Sequence, residues 1–327
     1  MGGTSHTERV LSVLRDRFAP ARSAVAASWK RSLTLYGLDP DQPTAPQTVT
    51  ETELRLAREE MEPLLRAGQG ALDRLFQAVG AAGCCVLLTN RDGVPVDRRG
   101  VAADDKDFHR LGLWPGAVWS EAREGTNGIG TCLAEGRALT IHHEQHFRSR
   151  YTNLSCSVAP LYDHQGRLAG ALDVSSCRED LNEGFAGLIA SAVADAARTI
   201  ESQAFRQAYA KARILLAPDM DRTATALLAV DGHDLVVGAT RQARLALGIT
   251  DERIAGQLPA ADLLPLSGAE DMAEAERGVI LRALARAGGN VSAAAKALGF
   301  SRATLHRKLN RLGLSGQHSV KDDINPN

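Results

Sequence analysis

The first clear pattern along the chain is helical. Val25, Trp29, Leu33 and Tyr36 recur at helical spacing over residues 23–40, and Gly37 and Pro40 then stop the helix. The polar loop DQPTAPQTV follows, and residues 50–65 read as helix again. From about 66 to 180 the period changes. CCVLLT (84–89) is a short apolar strand before the turn NRDG, and ALTIH (138–142) is a second. SCSVAPLYD (155–163), the turn HQGR and LAGALDVSS (168–176) form the clearest hairpin, its arms apolar enough for central strands. Residues 184–217 predict one long helix. Its stripe of Phe185, Leu188, Ile189, Ala192, Val193, Ala196 and Ile200 suits pairing with a second copy. ALLAV, the turn DGHD and LVVG make a further hairpin, and TRQARLALG a helix, within 218–266.

From 272 to 314 three helices are separated by glycines. Met272, Val279, Ile280, Ala283, Leu284 and Ala287 share one face of the first, which Gly288 and Gly289 end. Asn290 caps the second, whose inner face is Val291, Ala294, Ala295 and Leu298. Gly299 supplies the tight turn. Ser301 caps the third, with Leu305, Leu309 and Leu312 inward. Two short helices joined through a glycine turn make a helix-turn-helix. Ser301, Arg302, Thr304, His306, Arg307, Lys308 and Arg311 then form the expected contact set for double-stranded promoter DNA. The start of the second helix reaches base edges, where Arg302 can pair with guanine and Thr304 can meet a phosphate or a thymine methyl. Arg307, Lys308 and Arg311 lie further along and suit phosphates.

Charge sharpens this picture. The 327-residue chain has a formal net charge of -1, which decides nothing alone. Between Arg277 and Lys321, however, the Lys and Arg residues are uninterrupted by any Asp or Glu. One basic end on a neutral chain points to one part that meets a polyanion. The length leaves room for two or three domains, and 44% hydrophobic residues imply packed cores. Residues 317–327 read as a disordered tail. No apolar run is long enough to span a membrane and the start lacks an apolar leader, so a cytoplasmic protein is expected. Cys84, Cys85, Cys132, Cys156 and Cys177 are odd in number and form no CxxC, so buried thiols are expected rather than disulfides or zinc.

The stretch GGNVSAAAKALGFSRATLHRKLNRLGL (288–314) resembles the C-terminal module of the Fis family, also found in σ54-dependent activators. In that family the preceding helix dimerises, which implies a homodimer on two half-sites. WSEAREGTNGIGTCLAEGRALTIHHEQHF (119–147) with CSVAPLYDHQGRLAGALDVS resembles the GAF domain of the acetoin-catabolism regulator group, as does SWKRSLTLYGLDP near the start. Residues 220–266 resemble a PAS domain at half length.

The residues agree with a sensor. EGTNGIGT places Gly125, Gly128 and Gly130 together without a lysine, which suits a backbone packed closely over a sheet better than a phosphate loop. Trp114, Trp119, Cys132, His146, Phe147 and Cys156 are the candidates for lining an effector pocket. HHEQH (142–146) is not HExxH and reads as a solvated His-rich loop, with no metal or cofactor expected. The σ54 activators carry an ATPase between sensor and DNA module. This chain has no GxxxxGK[ST] and no GAFTGA loop, so no ATPase activity of its own is expected.

The expectation is an α+β chain: a GAF-type antiparallel sheet with helices, a PAS-like remnant and an all-α helix-turn-helix. Its divisions are 1–64 helical, 65–180 sensor, 181–217 connecting helix and possible dimer seam, 218–266 PAS-like, 268–316 helix-turn-helix and 317–327 tail. The function expected is effector-gated transcription regulation, with RNA polymerase or an ATPase-bearing relative as protein partner. A metal-, haem- or redox-sensing regulator, an effector-independent architectural DNA protein and a Cys–His enzyme stay open as alternatives.

Overall fold

The computed structural model describes residues 5–43, 45–178, 183–217, 225–264 and 272–314. The expected tail at 317–327 lies outside these. The chain divides into two compact units, Met1–Leu264 and Pro265–Asn327.

The first unit is built on an antiparallel sheet in the order β2-β1-β5-β4-β3. Its strands are β1 (Cys84–Asn90), β2 (Pro95–Arg99), β3 (Leu139–His142), β4 (Ser155–Tyr162) and β5 (Leu168–Ser176). β1 is buried along its whole length. It reads as an unbroken apolar run because both of its faces are covered. β2 went unnoticed in the sequence, since PVDRR is mostly polar. It pairs with β1 through a turn in which Gly93 takes φ 77°.

The N-terminal helices are α1 (His6–Arg15), α2 (Ala19–Arg22) and α3 (Ala24–Lys30), the last continuing as a π-turn at Arg31–Leu35. α4 (Glu51–Val79) begins at a Thr50–Glu53 capping box and carries on well past the expected end near 65, so the 64/65 division falls inside a helix. One face of the sheet is packed by α4 and by α8 (Glu183–Ala208), with Met61, Leu72, Leu88, Leu161, Val193 and Ile200 in that core. Gly68 of α4 lies against Ile200, where an added Cβ would come within 3.1 Å.

Two expectations about 184–217 are corrected. The helix ends at Ala208, and β6 (Arg213–Leu216) follows as a strand. The stripe expected to meet a second copy is also divided. Ile189, Val193 and Ile200 are buried in the chain's own core, whereas Leu188 is exposed. A stripe long enough for a coiled coil was instead satisfied by α4, a partner distant in the chain that the pattern could not name.

The other face of the sheet is covered by α5 (Asp105–Leu111), α6 (Glu121–Glu124), α7 (Gly128–Glu135) and the loops between them. The core beneath the cover contains Cys85, Leu87, Phe108, Leu113, Trp119, Ile129, Cys132, Tyr151, Cys156 and Val158. The glycine run serves close approach, as expected. A Cβ on Gly128 would come within 2.6 Å of Cys156 Cβ, and one on Gly130 within 2.4 Å of the Glu121 nitrogen. The N-terminal helices are stapled to this cover. Arg31 holds Glu121 through both guanidinium arms (2.7 and 3.0 Å), and Trp29 Nε1 donates to the Gln145 carbonyl (2.9 Å).

Beyond α8, β6 pairs with β7 (Leu227–Val230), and β7 with β8 (Val236–Ala239). α9 (Arg241–Leu247) and α10 (Asp251–Ala255) complete this small layer. It abuts the sheet's hairpin. Arg241 lies 4.3 Å over the Tyr162 ring, and half-buried Glu201 of α8 accepts from the Tyr162 N–H (2.9 Å). Burial raises the Glu201 carboxyl to about 7.

The second unit contains α11 (Met272–Arg286), α12 (Val291–Ala297) and α13 (Arg302–Arg311) around Ile280, Leu284, Ala294, Leu305 and Leu309. The caps are those the sequence implies. Asn290 Oδ1 accepts from the Ala293 N–H (3.0 Å), and Ser301 Oγ from the Thr304 N–H (3.1 Å).

Candidate functional site

Two places concentrate chemistry, one in each unit. On α13, Leu305 and Leu309 are buried, which turns Ala303, Arg307 and Asn310 to the middle of the exposed face. Arg302 and His306 flank that face on one side and Thr304, Lys308 and Arg311 on the other. The expected contact residues therefore share one outward arc, but their states differ. Ser301 spends its hydroxyl on the helix cap. Arg302, His306 and Arg307 are exposed. Lys308 and Arg311 are both ion-paired with Glu276 of α11. The sequence reading missed Glu276, which sits just upstream of the acid-free stretch, and Asn310, which the charge count passes over.

This pairing has a consequence for affinity. A carboxylate held against two phosphate-seeking cations competes with phosphate. Glu276→Gln is expected to raise affinity for duplex DNA by about three- to tenfold at ~0.1 M salt and to steepen the salt dependence by about one charge. Fluorescence anisotropy over a salt series reads both. An unchanged slope would mean that the pair opens without cost.

The six pocket candidates do not form a single lining. Trp119, Cys132 and Cys156 share the core beneath the cover. Trp119 Nε1 donates to the Gly112 carbonyl (2.7 Å), and its ring meets Tyr151 (4.9 Å between centroids). Phe147 packs instead with Val10 and Trp29 of the N-terminal helices. Trp114 is half-buried at the β2 edge, with the Arg98 guanidinium 4.4 Å from its ring. Arg98 pairs with Asp105 (2.7 Å), but its Nε and Nη2 have no hydrogen-bond partner among the described residues.

His146 corrects the reading of HHEQH as a solvated loop, because it is fully buried. Its Nδ1 donates to the His143 carbonyl (2.9 Å), which leaves Nε2 as acceptor for the Cys156 thiol (3.5 Å). Burial lowers the His146 imidazolium to about 4 and raises the Cys156 thiol well above its ordinary value. The pair is thus held as neutral thiol and neutral imidazole, the reverse of an activated thiolate. Among the described residues, no three His, Cys, Asp or Glu side chains are placed to share a metal ion.

The sequence reading also missed Asp173. It stands on the cover-side face of β5, between Leu87 of β1 and Val158 of β4, and is fully buried. Ser175 Oγ lies 2.7 Å from Asp173 Oδ2 and 3.1 Å from the Cys156 sulfur. Its single proton serves the carboxylate, the nearer acceptor. Asp173 Oδ1 has no hydrogen-bond partner among the described residues. Desolvation raises the carboxyl to about 7 against the Ser175 hydrogen bond, which lowers it. ALDVS reads as an apolar arm, so only its pairing register reveals an acid facing the core.

Comparison with known proteins agrees with both halves. Residues 63–200 match the GAF domain, and residues 271–312 match the bacterial regulatory protein Fis family. The acetoin catabolism regulatory protein of Cupriavidus necator is 36% identical over 240 residues, covering 72% of this chain and 36% of that protein. The propane 2-monooxygenase operon transcriptional activator MimR of Mycolicibacterium smegmatis is 29% identical over 247 residues, 71% of this chain and 38% of that one. The chain thus spans just over a third of the length of these relatives. The crystal structure of the E. coli DhaR(N)-DhaL complex shares the fold, with a TM-score of 0.50 at 19% identity, over 69% of this chain and 76% of that one. This chain unites a GAF domain with a Fis-family helix-turn-helix, and it resembles the transcription regulators of acetoin catabolism.

Proposed function

We propose that this protein is an effector-responsive transcription regulator that acts without an ATPase of its own. Its α13 face binds promoter DNA, and its GAF domain takes up a small uncharged molecule. The observation that carries the reading is the outward arc of Arg302, His306 and Arg307 on a correctly capped second helix, in a chain that also holds a GAF domain. Homodimerisation fits the α11 surface, where Met272 and Val279 are exposed seven residues apart on one face. No GxxxxGK[ST] lies between the GAF domain and the helix-turn-helix. The protein would therefore repress, recruit RNA polymerase by contact, or modulate an ATPase-bearing relative. The neutral Cys156–His146 pair favours sensing over catalysis, and none of the helices described is long and apolar enough to cross a membrane.

The small layer after α8 would carry the response. It is tied to the GAF hairpin through Arg241 over the Tyr162 ring and the Arg167–Asp251 ion pair, and it precedes the DNA-binding unit in the chain. An effector matters only if it binds two states unequally, by about 1–3 kcal/mol. The test compares promoter binding by the full chain and by a chain starting at Pro265, with and without acetoin and related small molecules. Full-chain affinity should shift by about five- to a hundredfold, and the truncated chain should not respond. An equal response in both would remove the gating role.

A further inference from the structure

We propose that Tyr162 is a positioning residue that couples the cover of the GAF sheet to the small layer, its hydroxyl holding the end of α7 while its ring carries Arg241 of α9. The proposal rests on the reading that the small layer carries the response.

Tyr162 is the last residue of β4, at the point where pairing with β5 shifts register. A shift of this kind re-aims the side chains beside it. Tyr162 is buried, and each of its three parts meets a different element. The hydroxyl donates to the Gly136 carbonyl (2.9 Å), and Gly136 is the left-handed cap of α7. The backbone N–H donates to Glu201 of α8 (2.9 Å). The ring face meets the guanidinium of Arg241, the first residue of α9, at 4.3 Å.

These elements belong to separate layers. α7 lies over the cover-side core, where Gly128 brings it onto Cys156 and Val158. α8 packs the opposite face of the sheet through Val193 and Ile200, and its last turn enters the small layer, where Phe205 packs with Leu227 and Ala229. α9 is part of the small layer, with Ala243 in the core that holds Leu228 and Val236. Tyr162 sits where the three meet.

The other contacts between hairpin and small layer are peripheral. Arg167 and Asp251 pair at 3.5 Å with more than half of each side chain exposed, which makes the pair weak. His164 meets the Tyr209 ring edge-on, with 5.8 Å between centroids. Both contacts start from the turn after β4, and neither includes a residue of α7.

A tyrosine ring swings about its side-chain torsions unless its tip is held. The bond to Gly136 fixes the tip, and so fixes the face offered to Arg241. A displacement of α7 carries the tip with it, and the cation over the ring follows or loses its seat. Coupling of this kind is a free energy shared by the two ends, so it is reciprocal.

The experiment is hydrogen exchange read by mass spectrometry on the purified full chain. Tyr162→Phe keeps the ring and the N–H and deletes only the hydroxyl. It should speed exchange by at least about threefold in the last turn of α7 and also in α9 and β8, which the hydroxyl does not touch. Arg241→Ala should act in the other direction and speed the last turn of α7 by a similar factor. In the double variant the two effects should fall short of their product, as for residues that act through one contact. Exchange in α1, β1 and β2 should match the parent, which sets coupling apart from a general loosening. Arg167→Gln, which removes the exposed ion pair, should leave α7 unchanged. Faster exchange confined to each variant's own element, uniform acceleration across the unit, or effects that multiply overturns the proposal. The Arg241→Ala arm decides the matter if Tyr162→Phe does not fold. Promoter affinity of the same variants separates the two readings. Coupled exchange with unchanged promoter affinity keeps the coupling and removes the small layer's role in the response. A changed affinity without coupled exchange does the opposite.

Discussion

The Arg302→Ala, Arg307→Ala double variant is expected to bind a promoter duplex at least about a hundredfold more weakly than the parent at physiological salt. Arg302 is the first residue of α13 and leads the helix proposed to enter the groove, where a bidentate pair to guanine is worth about 1–3 kcal/mol. Arg307 sits at the middle of the exposed arc, and removing it forfeits a phosphate contact. In a dimer each loss is counted twice. The fold should survive, because neither side chain is buried and the core of Leu305 and Leu309 is untouched. Anisotropy titration with specific and scrambled duplexes separates the two roles. Arg302→Ala alone should erode the preference for the specific duplex, whereas Arg307→Ala alone should weaken both equally. Intact binding by the double variant would take the DNA-reading role away from α13.

The second large effect concerns stability. Asp173→Asn is expected to stabilise the first unit by about 2–4 kcal/mol at pH 8 and by almost nothing at pH 4. The sign follows from the direction of the shift. Asp173 is raised from its ordinary 3.8 to about 7 in the fold, so the folded chain holds a proton that the unfolded chain has released. Its contribution to stability is complete below about 4 and is lost as pH rises towards 7. A carboxyl held about three pH units above its unfolded position corresponds to about 4 kcal/mol, and the unmatched amide nitrogen of Asn takes back part of that. The groups around Asp173 do not cancel the effect, since Ser175 donates one hydrogen bond and Cys85, Cys132 and Cys156 are thiols raised by burial. Glu201 adds in the same direction in the parent and in the variant alike, and so drops out of the difference. His146 runs the other way, its contribution complete above about 6.5 and lost as pH falls towards 4, in the parent and in the variant alike. Urea midpoints across pH 4 to 8 measure the difference, and a gain independent of pH would contradict the titration.

Much of the architecture was legible along the chain. The hairpin of β4 and β5, the three helices after 272, both helix caps and the close packing of Gly128 and Gly130 all follow from period, capping residues and glycine placement. Local signals suffice where the forces are local. A cap is made three residues away, and a turn needs a glycine at its own position. The same locality explains the misses. The end of α8 was misplaced because YAKARILLA carries no breaker, and β6 exists only because Leu227–Val230 is there to pair with it. The six pocket candidates scattered between three environments because residue type alone does not say which face of which layer a side chain joins.

Sequence alone determined the order of parts and the chemistry at the basic end, because repeat period, caps and an acid-free run of cations are properties of neighbouring residues. Tertiary structure alone decided that the α8 stripe meets α4, that Glu276 clasps Lys308 and Arg311, and that Asp173 faces a closed core. Each of those depends on burial or pairing between segments distant in the chain, and the free energy of a carboxylate is set by what surrounds it, not by what precedes it.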